Sequence, residues 1–114
     1  MGALFNALEE LTSRINSSSS SLEFIGKWID GYRGKVIQFV TPEETCHLVF
    51  TKEGVSLRRG EYPSVDVTIE GEEGVLLDFL RGKEKLTAGL KSRRIITKQN
   101  LHEAFRFEAL LSAL

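Results

Sequence analysis

Cysteine occurs once in this chain of 114 residues, so no internal disulfide can form. Cys46 lies in the strand pattern CHLVF, on the same side as Leu48 and Phe50. That placement reads as a buried, inert thiol and fits a reducing compartment. Histidine occurs only twice, at His47 and His102. Neither has a cysteine or carboxylate at zinc-ligand spacing, although Glu103 adjoins His102, so no metal site and no cofactor is expected. A phosphate-cradling glycine loop is missing as well: Gly71-x-x-Gly74 has no lysine and, on this reading, no buried parallel strand before it. The serines have no strained nucleophile elbow around them. Triads are spatial and leave weak traces in sequence, but nothing here points to one, and the expectation is a protein without catalysis.

An excess of one charge is also lacking. Fifteen Lys and Arg against sixteen Asp and Glu leave a net charge of −1, which excludes the clustered basic footprint of a nucleic-acid binder. Lys91, Arg93, Arg94 and Lys98 come closest and read as the solvated outer side of a strand. No apolar run approaches the ~20 residues of a membrane-spanning helix, so at most transient membrane contact is expected. Residues 1–14 carry acids along an amphipathic stripe and do not have the charged-then-apolar layout of a signal peptide. The ending Ser112-Ala113-Leu114 lacks the basic middle residue of a peroxisomal address. A cytoplasmic location follows as the expectation.

What the chain does have is hydrocarbon in regular spacing. With 41% hydrophobic and 27% charged residues, it reads as one domain spanning residues 1–114, large enough for a single core. Leu4, Leu8, Leu11 and Ile15 mark one stripe of a first helix. Serines 17–21 read as a linker, with Ser20 and Glu23 as a capping box for a second helix. Leu22, Ile25, Trp28 and Ile29 face inward on that helix, which stops at Gly31.

From Lys35 the period changes to two. Ile37 and Phe39 point inward, Thr41-Pro42-Glu43-Glu44 turns the chain, and Cys46, Leu48 and Phe50 continue the inward side. Thr51-Lys52-Glu53-Gly54 forms a hairpin turn leading to Val55 and Leu57. Val65-Asp66-Val67-Thr68-Ile69-Glu70 alternates as a strand with one face buried and one in water. A helix opened by Glu72 and Glu73 buries Val75, Leu76, Phe79 and Leu80. A short turn or helix at residues 86–90 precedes a last strand at residues 94–98, with Ile95 or Ile96 inward. Asn100 and Glu103 make a second capping box for the final helix, LHEAFRFEALLSAL. That helix is apolar on more than one side, so it packs in the core, meets a partner, or borders a hydrophobic ligand.

The segment LVFTKEGVSLRRGEYPSVDVTIEGEEGVLLDFLRGKEKLTAGL resembles the sterol carrier protein 2 (sterol-transfer) domain family, and IGKWIDGYRGKVIQFV matches its upstream helix and first strand more loosely. One departure stands out: the family usually carries a glycine, a Lys-rich alternating strand and a second glycine before Asp-Leu, whereas residues 91–101 here hold neither glycine. The resemblance implies an α+β fold, with a single five-stranded, mostly antiparallel sheet covered on one face by helices. It further implies non-catalytic carriage of a fatty acid, acyl-CoA, sterol-like or isoprenoid lipid in a tunnel between sheet and helices. The lining mapped onto this chain is Trp28, Ile37, Phe39, Leu48, Phe50, Val67, Ile69, Phe79, Leu80, Leu90, Phe105 and Leu110. Plain core packing uses the same residue types. Two alternatives stand beside the carrier. One is an accessory module that binds a protein partner or a second copy through the C-terminal helix, as in isoprenoid-quinone synthesis. The other is an acyl-substrate enzyme using His102 and Glu103.

Overall fold

The computed structural model describes residues 2–114. Met1, which the amphipathic reading places in the first helix, lies outside the described residues. Helix α1 (Ala3–Asn16) buries Leu4, Leu8, Leu11 and Ile15, the expected stripe. The five-serine linker is corrected, because the chain needs only two residues to turn. Ser17 closes α1, Ser18 caps α2 (Ser19–Trp28), and the Ser18 hydroxyl accepts the Ser21 N–H at 3.2 Å. Serine is a good cap and a tolerable helix residue, so a serine run between two apolar stripes continues into the helix once Ser21, Ile25 and Trp28 are buried. The capping residue is therefore Ser18 and not Ser20. Beyond α2, Gly31 takes a left-handed φ of 83° and redirects the chain to the sheet.

The sheet has the order β3-β2-β1-β4-β5, built from β1 (Lys35–Val40), β2 (Thr45–Thr51), β3 (Gly54–Arg59), β4 (Val67–Gly71) and β5 (Ile95–Gln99). The β1–β4 pair is parallel and the other pairs are antiparallel. Register aligns Ile37 with Leu48 and Val67, and Phe39 with Cys46 and Ile69, so these side chains share one face. Helices α1, α2, α3 (Glu73–Leu80), α4 (Leu86–Lys91) and α5 (Leu101–Ser112) supply the rest of that core. The Asn16 side chain ties α1 to the edge strand: its Oδ1 accepts the Val55 N–H at 2.9 Å and its Nδ2 donates to the Val55 carbonyl at 2.8 Å. The amide thus mimics one more strand residue on an edge that would otherwise offer free backbone groups.

The outer face departs from simple alternation. Val36, Gln38, His47 and Thr68 point away from the helices and are nevertheless buried. The cause is topological. β3 lies at the far edge and β4 lies beside β1, so residues 60–66 must cross β2 and β1. Asp66 pairs with Val36 through both its backbone and its carboxylate, the Tyr62 N–H donates to Gln38 Oε1 at 2.9 Å, and the Tyr62 ring lies 5.2 Å from that of His47. The expected strand from Val65 accordingly starts at Val67, its first two residues serving the crossover. β4 is also a buried strand parallel to β1 that precedes a helix, correcting the expectation that no such strand lies before Gly71. The segment still lacks a phosphate-binding lysine.

Around β5 the register places Ile95 opposite Gly71 and buries it, leaving Ile96 49% exposed. Arg93 (φ 63°) and Gln99 (φ 71°) both adopt the left-handed region. Gln99 directly precedes Asn100-Leu101 and Arg93 precedes the strand, the two places where the resembled family carries glycine. The backbone geometry persists here without the residue that adopts it most freely.

Candidate functional site

Of the expected lining, Trp28, Ile37, Phe39, Leu48, Phe50, Val67, Ile69, Phe79 and Leu110 fall in one buried cluster between sheet and helices. Leu80, Leu90 and Phe105 pack against its margin and are partly exposed. The centre of the cluster is a residue absent from the expected lining. The Phe107 ring lies 5.6 Å from Phe39, 6.0 Å from Phe50 and 6.1 Å from Phe79. These edge-on and tilted contacts suit the aromatic quadrupole. Trp28 extends the column, 4.9 Å from Phe50 and 6.3 Å from Phe24. The signal for Phe107 was present in the sequence. Ala104, Phe107 and Leu110 recur at helical spacing, but the additional apolar residues of α5 masked the stripe.

The sheet-facing residues pack ring against ring, and the clefts open elsewhere. One of about 440 Å³ lies at the ends of β1 and β4 among Thr41, Pro42, Val75, Arg93, Arg94 and Ile96. A smaller one of about 190 Å³ is bordered by Leu80, Leu111 and Leu114 with charged neighbours including Arg14 and Glu108. Admitting an acyl chain between sheet and helices therefore requires the helices to shift. An unfilled space of about 300 Å³ there would cost about 7 kcal/mol at the known cost of cavity volume.

Charge enters this core at one place. Lys35, the first residue of β1, and Glu103, in the first turn of α5, form a buried ion pair through Nζ and Oε2. Trp28 Nε1 donates to Glu103 Oε1 at 2.8 Å. The Lys35 ammonium also lies 3.9 Å from the centroid of the Tyr32 ring. Burial alone would raise the Glu103 carboxyl. Hydrogen bonds from Lys35 and Trp28, with the charges of Lys35 and His102, outweigh it and hold the group below the ordinary carboxylate range.

Glu103 therefore does not reach back to close a capping box. Asn100 alone caps α5, accepting the His102 N–H at 3.0 Å. Nor do His102 and Glu103 meet as a catalytic pair: His102 is exposed and its Nε2 accepts from Arg106 Nε at 3.1 Å, while Glu103 is buried with Lys35 and Trp28. The Cys46 thiol is pushed up to about 12 by burial first and by Glu44 second, against Arg59. It is protonated and inert at neutral pH. Among the described residues no group of three or more His, Cys, Asp or Glu side chains is placed to hold a metal ion, and no helix is long and apolar enough to cross a membrane.

An apolar core between one face of a five-stranded sheet and its helices is the architecture that the resemblance implies, and residues 8–112 match the profile described as the SCP-2 sterol transfer family. The chain belongs to that family. Its fold is shared by solved members. A protein described as a UbiJ-SCP2 ubiquinone synthesis protein superposes with a TM-score of 0.74 at 20% identity, over 92% of each chain. The sterol carrier protein domain 2 of Helicoverpa armigera gives 0.69 at 16% identity, over 96% of this chain and 86% of its own. A palmitated SCP2L2 from Aedes aegypti gives 0.60 at 15% identity, over 92% and 90%. No curated protein sequence matches. SCP-2 domains are lipid-binding and generally non-catalytic, and this chain has their α+β sheet with one parallel strand pair.

Proposed function

We propose that the chain, acting as one domain in the cytoplasm, binds an apolar lipid between the helix-facing side of its sheet and helices α2, α3, α4 and α5, and carries it without altering it. The lipid classes that fit are fatty acids, acyl-CoA, sterol-like molecules and isoprenoids, with membranes touched only in passing. The observation that carries this reading is the SCP-2 match joined to an aromatic column, Trp28–Phe50–Phe107–Phe79, between the sheet and the helices. The twelve expected lining residues, with Phe107 added, would form the walls. A neighbour of the same fold described as palmitated favours an acyl chain.

Organic extraction of the purified protein followed by mass spectrometry tests the reading. A stoichiometric fatty acid, sterol or isoprenoid is expected. An empty extract, together with an unchanged melting temperature in excess palmitate, would remove it. A second reading is favoured by the ubiquinone-synthesis neighbour: an accessory role in quinone synthesis through a protein partner or second copy docked on α5. Phe105 and Leu111, partly exposed on that helix, and Leu114, just past its end, would form its contact. Dimerisation that Phe105→Glu abolishes, in a protein without extractable lipid, would place this reading first.

A further inference from the structure

The Lys35–Glu103 pair is out of keeping with its surroundings. The other ion pairs among the described residues, Arg94–Glu84 and Lys98–Glu70, each leave at least one partner well exposed, whereas both Lys35 and Glu103 are buried. A buried pair contributes little stability compared with hydrocarbon of the same volume, so its presence in a lipid-binding core calls for another reason. Its position supplies one. Lys35 Nζ and Trp28 Nε1 converge as donors on a single carboxylate at one end of the aromatic column. Beyond Trp28 the column continues through Phe50, Phe107 and Phe79, and α5 adds Leu110 to the same apolar core. A cation and an indole N–H at the head, with hydrocarbon beyond, match the chemistry of an ionised long-chain fatty acid.

The carboxylate that fills the head position belongs to α5, the helix that also contributes Phe107 and Leu110 to the core. Displacing α5 far enough to admit an acyl chain withdraws Glu103 and leaves the largely buried Lys35 ammonium with only the Tyr32 ring beside it. A neutral ligand leaves that penalty in place, whereas a ligand carboxylate removes it. We propose that Lys35 and Trp28 form a carboxylate-binding pair, that Glu103 occupies it as an internal stand-in in the closed state, and that the headgroup of a fatty acid replaces Glu103 on binding. The exchange selects fatty acids over alcohols, esters and sterols. It rests on the lipid-carrier reading and specifies its ligand.

The experiment compares palmitate with hexadecanol, which has the same chain length but no charge. Binding to the full chain is measured by calorimetry and by fluorescence of Trp28, the single tryptophan. Palmitate is expected to bind about tenfold or more tighter than hexadecanol. Lys35→Met should erase that preference by tightening hexadecanol about tenfold, because no ammonium is left stranded when α5 moves. Glu103→Ala, which vacates the pair, should tighten palmitate by about tenfold, and 50–100 mM acetate (about the concentration at which millimolar sites saturate) should raise its melting temperature but not that of Lys35→Met/Glu103→Ala. Equal affinity for palmitate and hexadecanol in the native protein would overturn the carboxylate pair while leaving the carrier reading intact. Binding of neither would remove both. If Lys35→Met does not fold, unchanged palmitate affinity in Glu103→Ala is sufficient to overturn the proposal.

Discussion

The two faces of the sheet are buried by different means. Towards the helices, Ile37, Phe39, Leu48, Phe50, Val67 and Ile69 belong to one cluster with hydrocarbon drawn from all five helices, and Lys35, the one charged side chain that the sheet adds there, is paired. On the outer face, Gln38, His47 and Thr68 gather beneath the crossing residues 60–66 and are held by directed bonds, such as Tyr62 N–H to Gln38 and His47 Nδ1–H to the Gly60 carbonyl at 2.8 Å. Hydrocarbon contacts are non-directional, so that side can repack around a guest of suitable shape. Hydrogen bonds across the crossover have fixed geometry and tie β1 to its partners. One face is suited to yielding while the other keeps the strand order.

Removing Phe107 should break the contrast most strongly. Phe107→Ala is expected to cost about 3–5 kcal/mol in denaturant unfolding, and palmitate should restore part of that loss by filling the space. A loss that palmitate leaves unchanged would mean that this face does not accept a guest.

Single removal of a buried charge ranks next. Glu103→Ala should cost about 3 kcal/mol, while Lys35→Met/Glu103→Leu should come within about 1 kcal/mol of the native protein. The pH dependence has a definite sign. The folded Glu103 carboxyl titrates below its ordinary value of 4.5, so the native state holds the charged form more tightly than the unfolded chain does. Its contribution is complete above about pH 4.5 and is lost as pH falls through the depressed folded value. Unfolding followed from pH 7 to pH 3 should therefore show a loss of stability in that window that is smaller in Glu103→Gln.

On the outer face, Gln38→Ala leaves the Tyr62 N–H without its acceptor. It should cost about 1–2 kcal/mol with no change in lipid affinity. Any change in affinity would show that the two faces are coupled. The smallest effect has the opposite sign. Gln99→Gly relieves a left-handed residue at the end of β5 and should stabilise by about 0.5–1 kcal/mol, and Arg93→Gly should behave alike.

Elements whose pattern lies within a few consecutive residues were legible. The α1 stripe, the hairpin at Thr51-Lys52-Glu53-Gly54 and the face of α3 each follow from a period of 3.6 or 2 with a turn residue in place. Legibility failed where a choice depended on a distant partner. Ile95 and Ile96 are equivalent to any pattern until Gly71 sets the register. Phe105 and Phe107 are equally apolar, and only the docking angle of α5 sends Phe107 to the centre. The serine run reads as a linker until burial of Ser21 and Ile25 draws it into α2.

The sequence by itself determined which residues are apolar, at what period they recur and where the chain must turn. It thereby determined the class of fold and the hydrocarbon character of the core, because these depend on local backbone geometry and on the cost of exposing apolar surface to water. Tertiary structure alone decided the rest. The parallel pairing of β4 with β1 forced residues 60–66 across the sheet and buried Gln38 and Thr68. The approach of α5 to the start of β1 brought Glu103 to Lys35 across 68 residues of sequence. Contacts of that separation leave no period in the chain, because they are set by how whole elements pack and not by the neighbours of any one residue.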